Sequence, residues 1–179
     1  PPSTSSQETL DPHRTTKTTQ QEPVADLPKS IRLQTPVRVP SPIYERVSLK
    51  GRSVLVLGNH PCRPHLLATL ESMDVRQDSQ PDLVIDLGAQ LNELFEKAKL
   101  LDASPPKDWL CLTQLSKHSS DSQTAVLGGR SGLCKSLSRE WTKCRGRVID
   151  IHPDTENERI AQILINECEA TDQLLETYH

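Results

Sequence analysis

The stretch Thr124–Ile151, TAVLGGRSGLCKSLSREWTKCRGRVIDI, carries two structural periods in succession. From about Gln123 to Trp141 the apolar residues Val126, Leu133, Cys134, Leu137 and Trp141 recur at helical spacing. Arg147-Val-Ile-Asp-Ile151 then forms a short apolar run, as in a strand buried on both faces. The stretch therefore reads as a long helix feeding a core strand. Gly128, Gly129 and Gly132 would each cost about 1 kcal/mol in a free helix. Three of them together point to a close approach by another backbone, or to a late helix start. Both readings predict a helix packed tightly against a sheet or a partner helix.

The same alternation extends upstream and downstream. Ser53-Val-Leu-Val-Leu-Gly58 and Asp82-Leu-Val-Ile-Asp-Leu-Gly88 are apolar runs that end in glycine, and Trp109-Leu-Cys-Leu-Thr113 is a third. Each reads as a central parallel strand, with a further short strand expected at Val75. Helices are predicted at His65–Met73, with Pro64 in the first turn where a missing N–H costs nothing, and at Gln90–Leu101. The second has Leu91, Leu94, Phe95, Ala98 and Leu101 on one face, and Pro105-Pro106 ends it. A last helix is expected over Glu156–Ala170, with Ile160, Ile163, Leu164 and Cys168 inward. Strands alternating with helices predict an α/β fold: a truncated Rossmann-like, mostly parallel sheet with flanking helices, over residues 53–179. Trp109 and Trp141 are the largest core pieces available and are expected to anchor its packing. No internal repeat is present.

Composition sets the outer limits. Of 14 prolines, eight lie in the first 42 residues. Residues 1–30 are rich in Pro, Ser, Thr and Gln and nearly lack large apolar side chains, so they are expected to form a disordered linker. Residues 31–52 read as an extended arm or edge strand, because the alternating IRLQTPVRVP carries two prolines. A net charge of −3 over 179 residues offers no basic stripe to displace counterions, which argues against nucleic acid as a partner. No run approaches the ~18 apolar residues of a membrane span, and no signal peptide is evident. The five cysteines are odd in number and irregular in spacing, without C-x-x-C, so reduced thiols and a cytoplasmic location are expected.

The turn after the first strand is Gly58-Asn59-His60-Pro61-Cys62-Arg63-Pro64, with one glycine. A dinucleotide-binding turn needs several glycines, so that the backbone approaches the pyrophosphate at a helix N-terminus. Here Pro61 and Pro64 also remove N–H donors. Arg63 alone cannot replace a nest of N–H groups. His60, Cys62 and His65 match no usual metal-site spacing. Asp86 and Asp150 end or follow core strands, but nothing couples them to a nucleophile. The cluster Ser116–Ser122, with His118, reads as a polar loop.

Gly132-Leu-Cys-Lys-Ser-Leu-Ser-Arg-Glu-Trp141, followed by Arg147-Val-Ile-Asp150 and Pro153, resembles ketoreductase regions of large synthases. These are type I polyketide synthases and, most closely, polyunsaturated-fatty-acid-type synthases, whose ketoreductases are similar to two fused short-chain dehydrogenase/reductase folds. The resemblance covers roughly residues 47–165 and is specific around 128–153. In that family the N-terminal half is truncated and structural. The C-terminal half binds NADPH and reduces the β-ketoacyl chain. Placed on the ordinary reductase pattern, the catalytic Tyr falls at Gln123 and the Lys at Leu127. Thr113 or Ser116 lies near the family's serine position. Neither Gln123 nor Leu127 supplies a hydroxyl of lowered pKa or a cation to lower it. Lys135 belongs to the helix pattern, with a salt bridge to Glu140 or Asp150 expected.

The resemblance thus implies a non-catalytic segment with no cofactor of its own. Its partners would be an adjacent catalytic half and the carrier protein of the same synthase. In ordinary reductases the long helix builds the dimer interface, so the surface Val126, Gly128, Gly129, Gly132, Leu133, Leu137 and Trp141 is the expected interface, and a homodimer is a further possibility. Tyr178-His179 falls near where one more strand and then the catalytic half are expected, as in an excised fragment. Two alternatives stand beside this reading. One is a divergent reductase binding a nucleotide at residues 58–64; the other is a free-standing interaction module with a degenerate Rossmann fold.

Overall fold

The computed structural model describes residues 45–114, 121–173 and 175–179. The linker expected at 1–30, most of the 31–52 arm, and Ser116 and His118 lie outside them. Six strands form one sheet: β1 (Ser53–Leu57), β2 (Arg76–Gln77), β3 (Leu83–Asp86), β4 (Asp108–Thr113), β5 (Arg145–Asp150) and β6 (Glu176–Tyr178). Four helices connect them: α1 (Arg63–Ser72), α2 (Leu91–Leu101), α3 (Asp121–Glu140) and α4 (Asn157–Glu169). The strand order is β2-β1-β3-β4-β5-β6, and every pairing is parallel. This is the Rossmann-like α/β arrangement that the alternation of strands and helices predicts.

The truncation has a physical form. β2 is two residues long and pairs only with Ser53 and Val54, so it never climbs the sheet. Five residues, 78–82, then suffice to reach the start of β3 on the other side of β1. They are pinned there by bonds from the Asp78 N–H to the Val54 carbonyl and from the Asp82 N–H to the Ser53 carbonyl. A full βαβ crossover would need a dozen or more residues and a helix.

Alternating side chains divide the core into two layers. Val54, Val56, Leu83, Ile85, Leu110, Leu112 and Ile149 face α1 and α4. Leu57, Val84, Trp109, Cys111 and Val148 face α2 and α3. Trp109 and Trp141 pack at 6.0 Å between ring centroids with a 52° tilt, and Trp141 Nε1 donates to Asp102 Oδ1 at 2.9 Å. The tryptophans thus tie β4, α2 and α3 together, as expected of the largest apolar side chains in an aliphatic core.

The close approach inferred from the α3 glycines is made by a different glycine. A Cβ on Gly146 of β5 would lie 2.6 Å from Ser138 Cβ and 2.7 Å from the Cys134 carbonyl oxygen. Gly146 therefore lets α3 settle on the sheet. Gly128 and Gly132 face open space, and Gly129 meets only the Leu91 side chain, at 3.1 Å. The predicted single face of α2 also divides: Leu94, Ala98 and Leu101 are buried, whereas Leu91 and Phe95 are exposed.

β6 forms near Tyr178-His179, where one more strand was expected. It pairs with β5, and its flanks are held by Val148 N–H on the Leu175 carbonyl and His179 N–H on the Asp150 carbonyl. Lys135 pairs with Glu176 of this strand. That corrects the expected partners Glu140 and Asp150: α3 runs beside β6, which brings Glu176 to the lysine.

Candidate functional site

In an open parallel sheet, ligands bind outside the C-terminal ends of the strands, where the strand order reverses. Here the reversal lies between β1 and β3. The chain's own backbone fills that place. Gly58 follows β1 with φ +82°, and a Cβ on it would lie 2.5 Å from the Ala89 nitrogen and 2.8 Å from the Gly88 and Leu87 carbonyl carbons. The Leu87 N–H also bonds the Leu57 carbonyl at 2.8 Å. Gly58 thus serves contact between two loops instead of a phosphate.

At the start of α1, several of the N–H groups that a pyrophosphate would need are missing or already engaged. Pro61 and Pro64 carry none. The Cys62 N–H donates to His60 Nδ1 at 3.1 Å, and the Arg63 N–H to the His60 carbonyl at 2.9 Å. With Nδ1 accepting, the His60 proton sits on Nε2, which donates to Gln114 Oε1 at 3.0 Å. His60 is thereby a cap that joins the β1 and β4 turns. Arg63 points back to the sheet, with Nη2 3.4 Å from the Val56 carbonyl. Burial pushes the Cys62 thiol up to about 11, away from the thiolate form at neutral pH. No group of three or more His, Cys, Asp or Glu suited to a metal occurs among the described residues.

The positions at which the resemblance places a Tyr and a Lys lie on α3. Gln123 and Leu127 occupy the first two turns of α3, the one exposed and the other half-buried. Beside Leu127 a cavity of about 180 Å³ is lined by Thr113, Gly128, Asp150 and Tyr178. Thr113 Oγ1 donates to Asp150 Oδ1 at 3.0 Å. Tyr178 has its hydroxyl pKa raised by burial and then by Glu176 and Asp150. A carbonyl reductase needs the opposite shift in its proton donor.

Asp86 and Asp150 do not work as a pair, because each is committed to other partners. Asp86, at the end of β3, is fully buried. Its Oδ1 accepts the N–H groups of Gly88 at 3.0 Å and Ala89 at 2.9 Å. Its Oδ2 accepts hydrogen bonds from Arg130 Nε at 2.9 Å and from the Cys111 thiol at 3.4 Å, and Arg130 Nη2 lies 2.8 Å away in the ion pair. Arg130 Nη2 also bonds the Leu112 carbonyl at 2.9 Å. Burial, then the Asp86 charge, keeps the Cys111 thiol pKa well above its usual range.

Arg130 is the residue that sequence reasoning missed. It lies four residues before Cys134 and continues the buried stripe of Cys134, Leu137 and Trp141. A charge on an apolar stripe, together with an aspartate closing a core strand, was the available signal for a buried ion pair.

The predicted interface residues divide between inside and outside. Leu137 and Trp141 turn into the chain's own core. Leu133 is half-buried, and Val126, Gly128 and Gly132 are exposed. Leu91 and Phe95 of α2 add to that surface. A groove of about 490 Å³ between the two helices is lined by Phe95, Lys99, Leu133, Ser136 and Glu140.

The chain resembles a solved ketoreductase. This is PlmKR1, from the first module of phoslactomycin biosynthesis in Streptomyces sp. HK803. The likeness covers 75% of this chain and 32% of that one, at 18% identity and a TM-score of 0.48. This chain therefore spans about a third of that protein's length. No protein-family model matches the chain, and no curated protein matches it.

Proposed function

We propose that this chain is the structural, cofactor-free half of a ketoreductase region in a multidomain polyketide or fatty-acid-type synthase. It supports an adjacent NADPH-dependent half that reduces β-ketoacyl intermediates on a carrier protein in the cytoplasm. The observation that carries the reading is the start of α1: two prolines, and two N–H groups already spent on His60. The turn is thereby poor in donors for a nucleotide, and Gln123 and Leu127 carry neither the hydroxyl nor the cation of a proton relay. The packing pattern from Leu133 to Ile151 nevertheless stands intact. Outside it, α3 presents Val126, Gly128 and Gly132 next to Leu91 and Phe95, a surface of small and apolar side chains suited to a second helix pair.

The test is titration of the chain with NADPH, followed by the fluorescence of Trp109 and Trp141 and by calorimetry. No saturable binding is expected up to millimolar cofactor. Micromolar binding overturns the proposal in favour of a divergent reductase. In the full synthase polypeptide, Val126→Asp and Gly132→Leu are expected to lower ketone reduction while this half stays folded.

A further inference from the structure

We infer that Asp86 is a built-in anion: its carboxylate fills an anion site at the C-terminal edge of the sheet and closes it to external ligands. Four donors converge on it from separate parts of the chain. Gly88 has φ +99°, which turns its own N–H and that of Ala89 toward one point. Successive backbone N–H groups turned in this way make a nest, which binds anions. Arg130 reaches down from α3 and donates Nε to the other carboxylate oxygen at 2.9 Å, with Nη2 of the same ion pair 2.8 Å away, and the Cys111 thiol donates to that oxygen at 3.4 Å. The guanidinium is 5% exposed and the carboxylate 0%, so water reaches neither. One positive and one negative group balance in charge. The donors satisfy both oxygens, two to each, with the thiol of Cys111 counted.

The geometry also specifies what the site accepts once it is emptied. Asp86→Ala removes a group the size of formate, and Asp86→Gly one the size of acetate. Each leaves a buried guanidinium and two N–H groups around a void. The ligand class is therefore a small planar monocarboxylate, and a tetrahedral phosphate is too large. The inference is independent of the scaffold reading, since it concerns only why this edge of the sheet takes no external anion.

The experiment compares wild type, Asp86→Ala and Asp86→Gly by thermal denaturation and circular dichroism. Sodium formate, acetate, phosphate or chloride is added at matched ionic strength. At ten times its dissociation constant a native-state ligand multiplies the folding constant by about elevenfold. Asp86→Ala is expected to gain stability saturably with formate over acetate, and Asp86→Gly with acetate. Wild type is expected to respond to neither beyond the chloride control. A variant unfolded in chloride tests the inference equally well, because the matching carboxylate then induces folding. Arg130→Met added to either variant is expected to abolish the gain. Equal effects of all four salts overturn the inference, as does a gain that survives loss of Arg130 or an absence of rescue in both variants.

Discussion

Three glycines separate two physical costs that are usually entangled, and one of them decides what the β1 turn is for. Gly51 has φ +76° with no atom within 4 Å of a Cβ, so Gly51→Ala meets conformational strain alone. That strain is about 1–2 kcal/mol. Gly146 has no positive φ but would place its Cβ 2.6–2.7 Å from Ser138 and the Cys134 carbonyl. Gly146→Ala therefore meets crowding alone, about 1–3 kcal/mol. Gly58 combines both, with φ +82° and three backbone atoms of 87–89 within 2.8 Å. Backbone atoms yield less than a side-chain tip, so Gly58→Ala is expected to cost about 3–5 kcal/mol, near the sum of the two terms. Urea denaturation of the three variants at pH 7 measures this directly, with m-values checked for constancy. If Gly58→Ala costs no more than Gly51→Ala, the turn is not a packing joint. The claim that the crevice is filled by the chain's own backbone then fails.

Other perturbations probe the layer around β5 and the buried thiols. Arg147 is 1% exposed and pairs with both Glu167 and Asp172. Arg147→Met removes the shared cation from two buried carboxylates and is expected to cost about 3–5 kcal/mol in the same urea assay. Burial pushes the Glu167 carboxyl up, but hydrogen bonds from His179 and Arg147 outweigh it and hold its pKa below 4.5. A depressed folded pKa contributes stability that is complete above 4.5 and is lost as pH falls through the folded value. The urea midpoint is accordingly expected to drop between pH 5 and 3, and Glu167→Gln is expected to flatten that drop. All five cysteines are buried, with thiols pushed up to about 11 at Cys62 and about 12 at Cys134, Cys144 and Cys168. A thiol reagent at pH 8 is therefore expected to titrate none in the native chain and five in urea.

Much of the architecture was legible because it rests on local periodicity. The runs Ser53–Leu57, Leu83–Asp86 and Asp108–Thr113 are too apolar to be anything but core strands, and the intervening helices show their faces at 3.6-residue spacing. The groups missing at Pro61, Pro64, Gln123 and Leu127 were legible too, since residue type alone fixes them. Boundaries moved by one to three residues, as at α1, where Arg63 and Pro64 already belong to the helix. For β6 only the resemblance gave a strand near Tyr178-His179, because three residues of an edge strand carry no periodicity of their own.

Residue types settled which groups the β1 turn lacks, because an N–H missing from a proline is missing in every conformation. Only the tertiary structure decided what stands there instead. Asp86, Gly88, Ala89 and Arg130 are up to 44 residues apart, and they meet because β3 ends beneath α3. The same holds for the glycines. Gly128, Gly129 and Gly132 advertise a close contact in sequence, yet the contact belongs to Gly146. The reason is geometric: a glycine shows where a backbone has room, and only the packed neighbour shows whether that room is used.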